Sequence, residues 1–209
     1  SIESSLPNLR LVDTSEGVSK RMLEGHDHEH EEENAEKQSE DKHEEGSEDP
    51  HIWLSPAQVK IQARNICSAL CEIDPAGKDY YSANLEVFLK ELDDIHAGLE
   101  EVLSPYKGST IFVFHPAFGY FADEFNLRQE AIETGGKEPA PATLMKIVSE
   151  AIEDGVKIVF VQPEFPKESA ESVAEAIGGT VVELNPLNPD YINNLKHIAE
   201  EIKKSNNLK

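Results

Sequence analysis

The sequence is short of basic residues, of cysteine and of long hydrophobic runs, and the first and last of these shortages exclude classes of partner and of protein. Its 209 residues include 19 lysines and arginines against 41 aspartates and glutamates, which gives a formal net charge of −22. Nucleic acid and anionic membrane surfaces repel such a chain, so we expect neither as a partner. Since no run of about 18 apolar residues occurs, no transmembrane helix is predicted. No basic and apolar leader precedes Ser1, so no signal peptide is visible.

The sequence has only two cysteines, Cys67 and Cys71, four residues apart in a stretch of helical apolar periodicity. This spacing places both thiols on one face of a helix, one turn apart. A disulfide within one regular helical turn would be strained, and two thiolates alone make an incomplete zinc site. We interpret the pair as small core residues that do not determine the redox compartment.

Half of the net negative charge lies in residues 24–49, which contain thirteen acidic residues and two lysines. With almost no hydrophobic residue, this segment cannot offset the entropy cost of ordering, so it is predicted to be a mobile loop. It contains four histidines: His26, His28, His30 and His43. Imidazole suits Zn, Cu and Ni ions, and nearby carboxylates raise the local cation concentration. We predict weak metal capture by the loop; the alternative is an inert solubilising linker.

The remaining sequence predicts an α/β protein. Leu9 to Asp13 has the pattern of a short strand, and residues 78–103 that of a long amphipathic helix. From residue 105 onward, strand patterns alternate with helical patterns, and residues 110–114 and 157–161 have the apolar runs typical of buried strands. Predicted strands at 110–114, 129–132, 157–161 and 180–184 are each followed by a predicted helix, at 117–125, 141–154, 166–177 and 189–204. That βαβαβαβα order predicts a doubly wound lobe with a parallel sheet.

Candidate binding residues follow two of the predicted strands. His115 comes directly after strand 110–114, at the carboxyl edge where open parallel sheets bind ligands. Asn185 follows the last strand at the same edge, where its amide is a weaker zinc ligand than imidazole or carboxylate. The alternative is that Asn185 fixes the turn that follows. His51 lies between the acidic segment and a predicted helix, and from position alone each histidine is either a ligand or a structural residue.

The other polar residues suggest little chemistry. No Gly-rich phosphate loop, His-Glu-x-x-His helix or Gly-x-Ser-x-Gly turn occurs in the chain. Glu133 and Glu164 follow predicted strands and are the candidates for a general base. His96 and His197 lie in predicted helices and are interpreted as surface residues.

Three segments resemble one known family, the cluster A-I (cluster 9) substrate-binding proteins of ABC transporters for zinc and manganese. Residues 49–56, DPHIWLSP, resemble the family's Asp-Pro-His-x-Trp-Leu-Ser-Pro segment, and residues 114–121, FHPAFGYF, resemble its His-x-x-aromatic-Gly-Tyr segment. Residues 184–187, LNPL, fall where the family usually has Leu-Asp-Pro-Leu. A His- and acid-rich segment before the first motif, as in this chain, is typical of the family's zinc-specific branch, the high-affinity zinc uptake proteins.

The resemblance implies a periplasmic-binding-protein-like fold of two α/β lobes bridged by a long rigid helix, here residues 78–103. It implies that His51 and His115 bind metal in the cleft between the lobes, with Asn185 in place of the usual Asp. Family members have a longer N-terminal part, so an N-terminally truncated chain is implied. Residues 1–54 would then be the remnant of the first lobe, including the loop at 24–49. Residues 55–104 would be helical, and residues 105–209 would form the C-terminal lobe.

Together these features predict a monomeric extracytoplasmic protein, periplasmic or anchored at the cell surface, that captures Zn²⁺ and delivers it to an ABC permease. Imidazole ligands favour Zn²⁺ over Mn²⁺, which takes more oxygen ligands. One alternative is a zinc-dependent metallohydrolase in which Glu133 or Glu164 activates water. Another is a metal buffer or cell-adhesion protein in which the His-rich loop dominates binding.

Overall fold

The structure is a computed structural model that describes residues 9–23, 47–133 and 139–208. The four histidines predicted to capture metal in the acidic segment, His26, His28, His30 and His43, lie outside these residues. Within the described ranges, no helix combines the length and the apolar character needed to cross a membrane.

The described residues form six α-helices and four β-strands. The helices are α1 (Pro56–Ile73), α2 (Lys78–Leu103), α3 (Gly119–Glu124), α4 (Pro141–Glu153), α5 (Lys167–Ala176) and α6 (Tyr191–Asn206). The strands are β1 (Thr110–Val113), β2 (Arg128–Ala131), β3 (Ile158–Val161) and β4 (Thr180–Glu183). From residue 105 onward the predicted alternation of strand and helix is confirmed, with boundaries shifted by one or two residues.

The four strands make one parallel sheet in the order β2-β1-β3-β4. Parallel neighbours need a crossover connection, which the helices supply, and both faces of the sheet are covered. Successive side chains alternate between two cores, so Ile111 and Val113 join the core with α2 and α6, whereas Phe112 and Phe114 join the core with α4 and α5. The predicted doubly wound lobe is therefore confirmed.

Helix α2 has 26 residues and is about 39 Å long at 1.5 Å per residue. Its second half buries Leu92, Ile95, Leu99 and Leu103, whose spacing of three and four residues places them on one face. Helix α1 packs against α2. The helix has the predicted bounds, residues 78–103. Its role as a bridge between two lobes stays a prediction, and so does the division of the chain into domains.

The predicted strand at Leu9 to Asp13 is wrong. These residues are irregular, and the Leu11 side chain is largely exposed. A strand needs partners for its backbone groups, and among the described residues none pairs with this segment. The segment instead lies along α1, where Arg10 forms an ion pair with Glu72 and the Asn65 amide donates to the Thr14 carbonyl at 2.9 Å.

Cys67 and Cys71 lie on one face of α1, as predicted, with their sulfur atoms 4.0 Å apart. Both are free thiols, and Cys67 is buried while Cys71 is partly exposed. The interpretation as core residues is confirmed for Cys67.

Two glycines offer a matched test of packing. In Gly179→Ala the new methyl group would meet the backbone oxygen of Lys157 at 2.5 Å, a contact that only a backbone shift relieves. We expect the free energy of unfolding to fall by about 1–3 kcal/mol, the usual cost of overpacking. In the control, Gly98→Ala, the methyl group meets nothing within 4 Å. Because alanine favours a helix interior over glycine, Gly98→Ala should raise stability by about 0.5–1 kcal/mol. Urea unfolding followed by circular dichroism measures the stability of both variants. Equal effects of the two substitutions would contradict the close packing of Gly179 against Lys157.

Candidate metal centre

Two imidazole rings from distant parts of the chain meet beside the carboxyl edge of the sheet. The Nε2 atoms of His51 and His115 lie 3.3 Å apart, with ring centroids 5.1 Å apart and ring planes at 79°. Two nitrogen ligands that each bind a tetrahedral zinc ion at about 2.0–2.1 Å are separated by about 3.3–3.4 Å. The spacing of the two Nε2 atoms therefore fits two ligands of one tetrahedral ion.

The position of His115 follows from the pairing of β1 with its neighbours. Phe114 continues the ladder beyond β1 by donating its backbone N–H to the Phe160 carbonyl at 2.7 Å. Next to it, the side-chain amide of Gln162 accepts from the His115 backbone N–H at 3.2 Å and donates to the His115 carbonyl at 2.7 Å. The Phe165 ring stacks on the imidazole at 4.8 Å between centroids. Backbone and ring of His115 are thus both fixed.

A buried carboxylate orients the His115 ring. The Nδ1 atom of His115 is hydrogen-bonded to the Glu133 carboxylate, whose side chain is only 2% exposed. A carboxylate accepts hydrogen bonds, so this contact assigns the imidazole proton to Nδ1 and leaves the Nε2 lone pair available to a metal ion. Metal-binding histidines commonly have such an outer carboxylate.

His51 has the same arrangement. Asp49 Oδ1 accepts from His51 Nδ1 at 2.7 Å and from the His51 backbone N–H at 2.9 Å, and the Asp49 side chain is fully buried. Burial acts to raise the pKa of Asp49, but the hydrogen bonds from His51 and Arg21 outweigh it and hold that pKa below its ordinary value. Asp49 is therefore a carboxylate, and both rings present Nε2 to the space between them.

The turn after β4 lies next to this pair. The Trp53 ring contacts His51 edge-on at 5.3 Å between centroids, and its indole N–H donates to the Pro186 carbonyl at 3.0 Å. In the same turn, Asn185 Oδ1 accepts from the Leu187 backbone N–H at 2.8 Å. The turn-fixing role considered for Asn185 is therefore present, and its role as a metal ligand stays a prediction.

The two rings remain accessible, with 13% of the His51 side chain and 23% of the His115 side chain exposed. Over the ranges that the structure describes, no three His, Cys, Asp or Glu side chains are grouped so as to hold a metal ion. Within those ranges the centre thus consists of two imidazoles, each backed by a carboxylate.

The other polar candidates lie elsewhere. Glu164 is exposed, and the His197 side chain is 53% exposed on α6, as predicted. His96 is only partly exposed and lies 3.3 Å from the Glu124 carboxylate. The orienting roles of Asp49 and Glu133 were not predicted from the sequence. The role of Glu133 could have been predicted from its place in the sequence. Glu133 follows β2 and His115 follows β1, and neighbouring parallel strands bring both residues to one edge of the sheet.

The chain is similar to proteins of one known family. Residues 1–205 match the family model of the zinc-uptake complex component A, periplasmic (ZnuA). A high-affinity zinc uptake system protein ZnuA from Yersinia pestis is 32% identical over 186 residues, which are 85% of this chain and 57% of that protein. The chain spans about half the length of the curated relatives it matches.

Solved structures show the same fold. A crystal structure of a ZnuA deletion mutant with zinc bound superimposes with a TM-score of 0.85 at 35% identity, covering 98% of this chain and 72% of that one. The laminin-binding protein of Streptococcus agalactiae, a bifunctional protein with adhesin and metal-transporting activity, has a TM-score of 0.71 at 30% identity, covering 77% and 64%. The predicted periplasmic-binding-protein-like α/β fold class is confirmed.

Proposed function

The chain belongs to this family of periplasmic zinc-uptake components, and from that membership we propose that it captures Zn²⁺ between His51 and His115 outside the cytoplasmic membrane and passes the ion to an ABC permease. The observation that carries the proposal is the 3.3 Å separation of the two Nε2 atoms, with each opposite ring nitrogen engaged by a carboxylate. Zinc would need no rearrangement of either ring to bind.

The ligand chemistry favours zinc as the cargo. Two neutral imidazoles suit a borderline ion such as Zn²⁺ better than Mn²⁺, which takes more oxygen ligands. The remaining positions of a tetrahedral ion would be filled by water or by groups beyond the described residues. Because both rings are partly exposed, an ion can reach the pair and leave it, as a transported ion must.

A metallohydrolase is not favoured. Its general base would have to reach water bound to the ion on the Nε2 side of the rings. Glu133 is instead hydrogen-bonded to Nδ1 of His115, on the opposite side of that ring. Glu164, the other candidate base, is exposed.

Adhesion is a second candidate function, favoured by the similarity to the laminin-binding protein of Streptococcus agalactiae. Saturable binding of the chain to immobilised laminin would support it. Binding no stronger than that to immobilised albumin would remove it.

Replacing residues 24–46 distinguishes zinc binding at the proposed centre from zinc binding by the acidic segment. The Leu23 backbone N–H donates to the Ser47 carbonyl at 2.9 Å, and Met22 and Glu48 form an antiparallel bridge, so an Asn-Gly turn can join the two ends. We expect the shortened chain to keep one tight zinc site and to lose the weaker sites, as measured by zinc titration against a competing chelator. Loss of all zinc binding would contradict the proposal and assign capture to the loop.

A further inference from the structure

Arg21 lies between the two parts of the chain that carry the metal-binding histidines. Its Nη1 donates to Asp49 Oδ2 at 3.0 Å, and its Nε donates to Asp123 Oδ2 at 2.9 Å. Asp49 is two residues before His51, whereas Asp123 is on α3, which begins four residues after His115. One guanidinium group therefore joins the segment of the first ligand to the helix that follows the second.

Backbone hydrogen bonds hold the same residues together. The Asp49 backbone N–H donates to the Arg21 carbonyl at 2.9 Å. The Tyr120 hydroxyl accepts from the Arg21 backbone N–H at 3.1 Å and donates to the Asp49 carbonyl at 3.0 Å. Arg21 and Asp49 are thus both fixed to α3, independently of the ion pair between their side chains.

The packing around the guanidinium is specific. A Cβ atom at Gly119 would lie only 1.7 Å from Nη1 of Arg21, so the absence of a side chain at Gly119 is what leaves room for the group. The Arg21 side chain is 15% exposed. The adjacent Lys20 differs, because its ion pair with Glu48 is between side chains that are 43% and 60% exposed. Arg21 is built into the fold, and Lys20 is a surface residue.

We propose that Arg21 is a positioning residue of the metal centre. By holding Oδ2 of Asp49, it keeps Oδ1 directed at Nδ1 of His51, which fixes the tautomer of the ring and the direction of Nε2. Without Arg21 the Asp49 carboxylate loses the partner of Oδ2 and keeps the hydrogen bonds from His51 to Oδ1, so the His51 ring is held less rigidly in its single orientation. The role of Arg21 in metal binding rests on the proposed function. The effect of Arg21 on the His51 ring holds for the metal-free chain as well.

The direction in which zinc affinity changes when Arg21 is replaced distinguishes a positioning role from an effect of the Arg21 charge. A guanidinium close to a bound Zn²⁺ repels it, so removal of the charge alone would tighten zinc binding. Loss of an outer partner of a ligand instead weakens metal binding by about 10–100-fold. Positioning therefore predicts that Arg21→Gln weakens zinc binding.

The test uses the full chain and three variants. Arg21→Gln removes the guanidinium, Gly119→Ala displaces it without changing the charge, and Lys20→Gln is the control with the same charge change one residue away. Imidazole ¹⁵N chemical shifts of the metal-free chain, at a pH where the rings are neutral, report the tautomers, with His51 assigned by comparison with His51→Ala. Zinc affinity is measured by chelator competition, and circular dichroism checks folding.

We expect His51 to change from the Nδ1–H tautomer to a mixture in Arg21→Gln and in Gly119→Ala, with His115 unchanged because Glu133 still holds it. Zinc affinity should fall in both variants, by less than the about 10–100-fold that loss of the outer partner Asp49 itself would cost, and Lys20→Gln should match the unaltered chain. An unchanged His51 tautomer in both folded variants, or tighter zinc binding in Arg21→Gln, would overturn the inference. If the unaltered chain binds no zinc but its His51 tautomer still depends on Arg21, the proposed function fails and the positioning role stands.

Discussion

Replacing His115 with alanine should lower zinc affinity by more than about 100-fold, beyond the 10–100-fold that loss of an outer partner costs. His115 supplies one of the two Nε2 atoms that are 3.3 Å apart, and within the described residues no three His, Cys, Asp or Glu side chains are grouped so as to hold a metal ion. A single remaining imidazole would hold the ion no better than a surface histidine does. His51→Ala should cause a loss of similar size.

The measurement is best made in the chain with residues 24–46 replaced, so that the loop histidines do not mask the loss. His197→Ala is the matched control, because it removes the same side chain from a position on α6 that is 53% exposed. The double variant His51→Ala, His115→Ala should bind zinc no more weakly than either single variant, since both rings act on one ion. A tight zinc site that survives in either single variant would mean that the two histidines bind separate ions.

Replacing Glu133 with glutamine should lower zinc affinity by about 10–100-fold while leaving both ligands in place. Glutamine has the shape of glutamate but no charge, so it no longer favours the proton on Nδ1 of His115 over the proton on Nε2. A proton on Nε2 occupies the lone pair that the metal needs. Burial of Glu133 makes the effect large, because the interaction is little screened by water.

Glu164→Gln serves as the control, since Glu164 also follows a strand but is exposed. Its zinc affinity should match that of the unaltered chain. An equal zinc affinity for Glu133→Gln and the unaltered chain would show that the hydrogen bond to Nδ1 does not orient His115. Competition titrations of the two variants side by side decide this.

Much of the α/β lobe could be predicted because β1 and β3 are continuous apolar runs and the helices bury one face. The strand at Leu9 to Asp13 was predicted by the same reasoning and is wrong. A short apolar run becomes a strand only where a partner pairs with its backbone, and periodicity along one segment contains no information about a partner.

The metal centre could be predicted only in part. His115 was identified by its place at the end of a strand, and His51 by a motif that resembles a family segment. That Glu133 would orient His115 depends on the order β2-β1-β3-β4, which places β2 and not β4 beside β1. Arg21 could not be identified, because its contacts with Asp49 and Asp123 join residues 28 and 102 positions away in the chain.

Anomalous diffraction at the zinc absorption edge, from crystals of the chain grown with one equivalent of Zn²⁺, tests the central claim most directly. We expect one strong peak between the two rings, at about 2.0–2.1 Å from Nε2 of His51 and from Nε2 of His115. Zinc bound elsewhere, with no anomalous peak between these two atoms, would contradict the assignment of the pair as the site of capture.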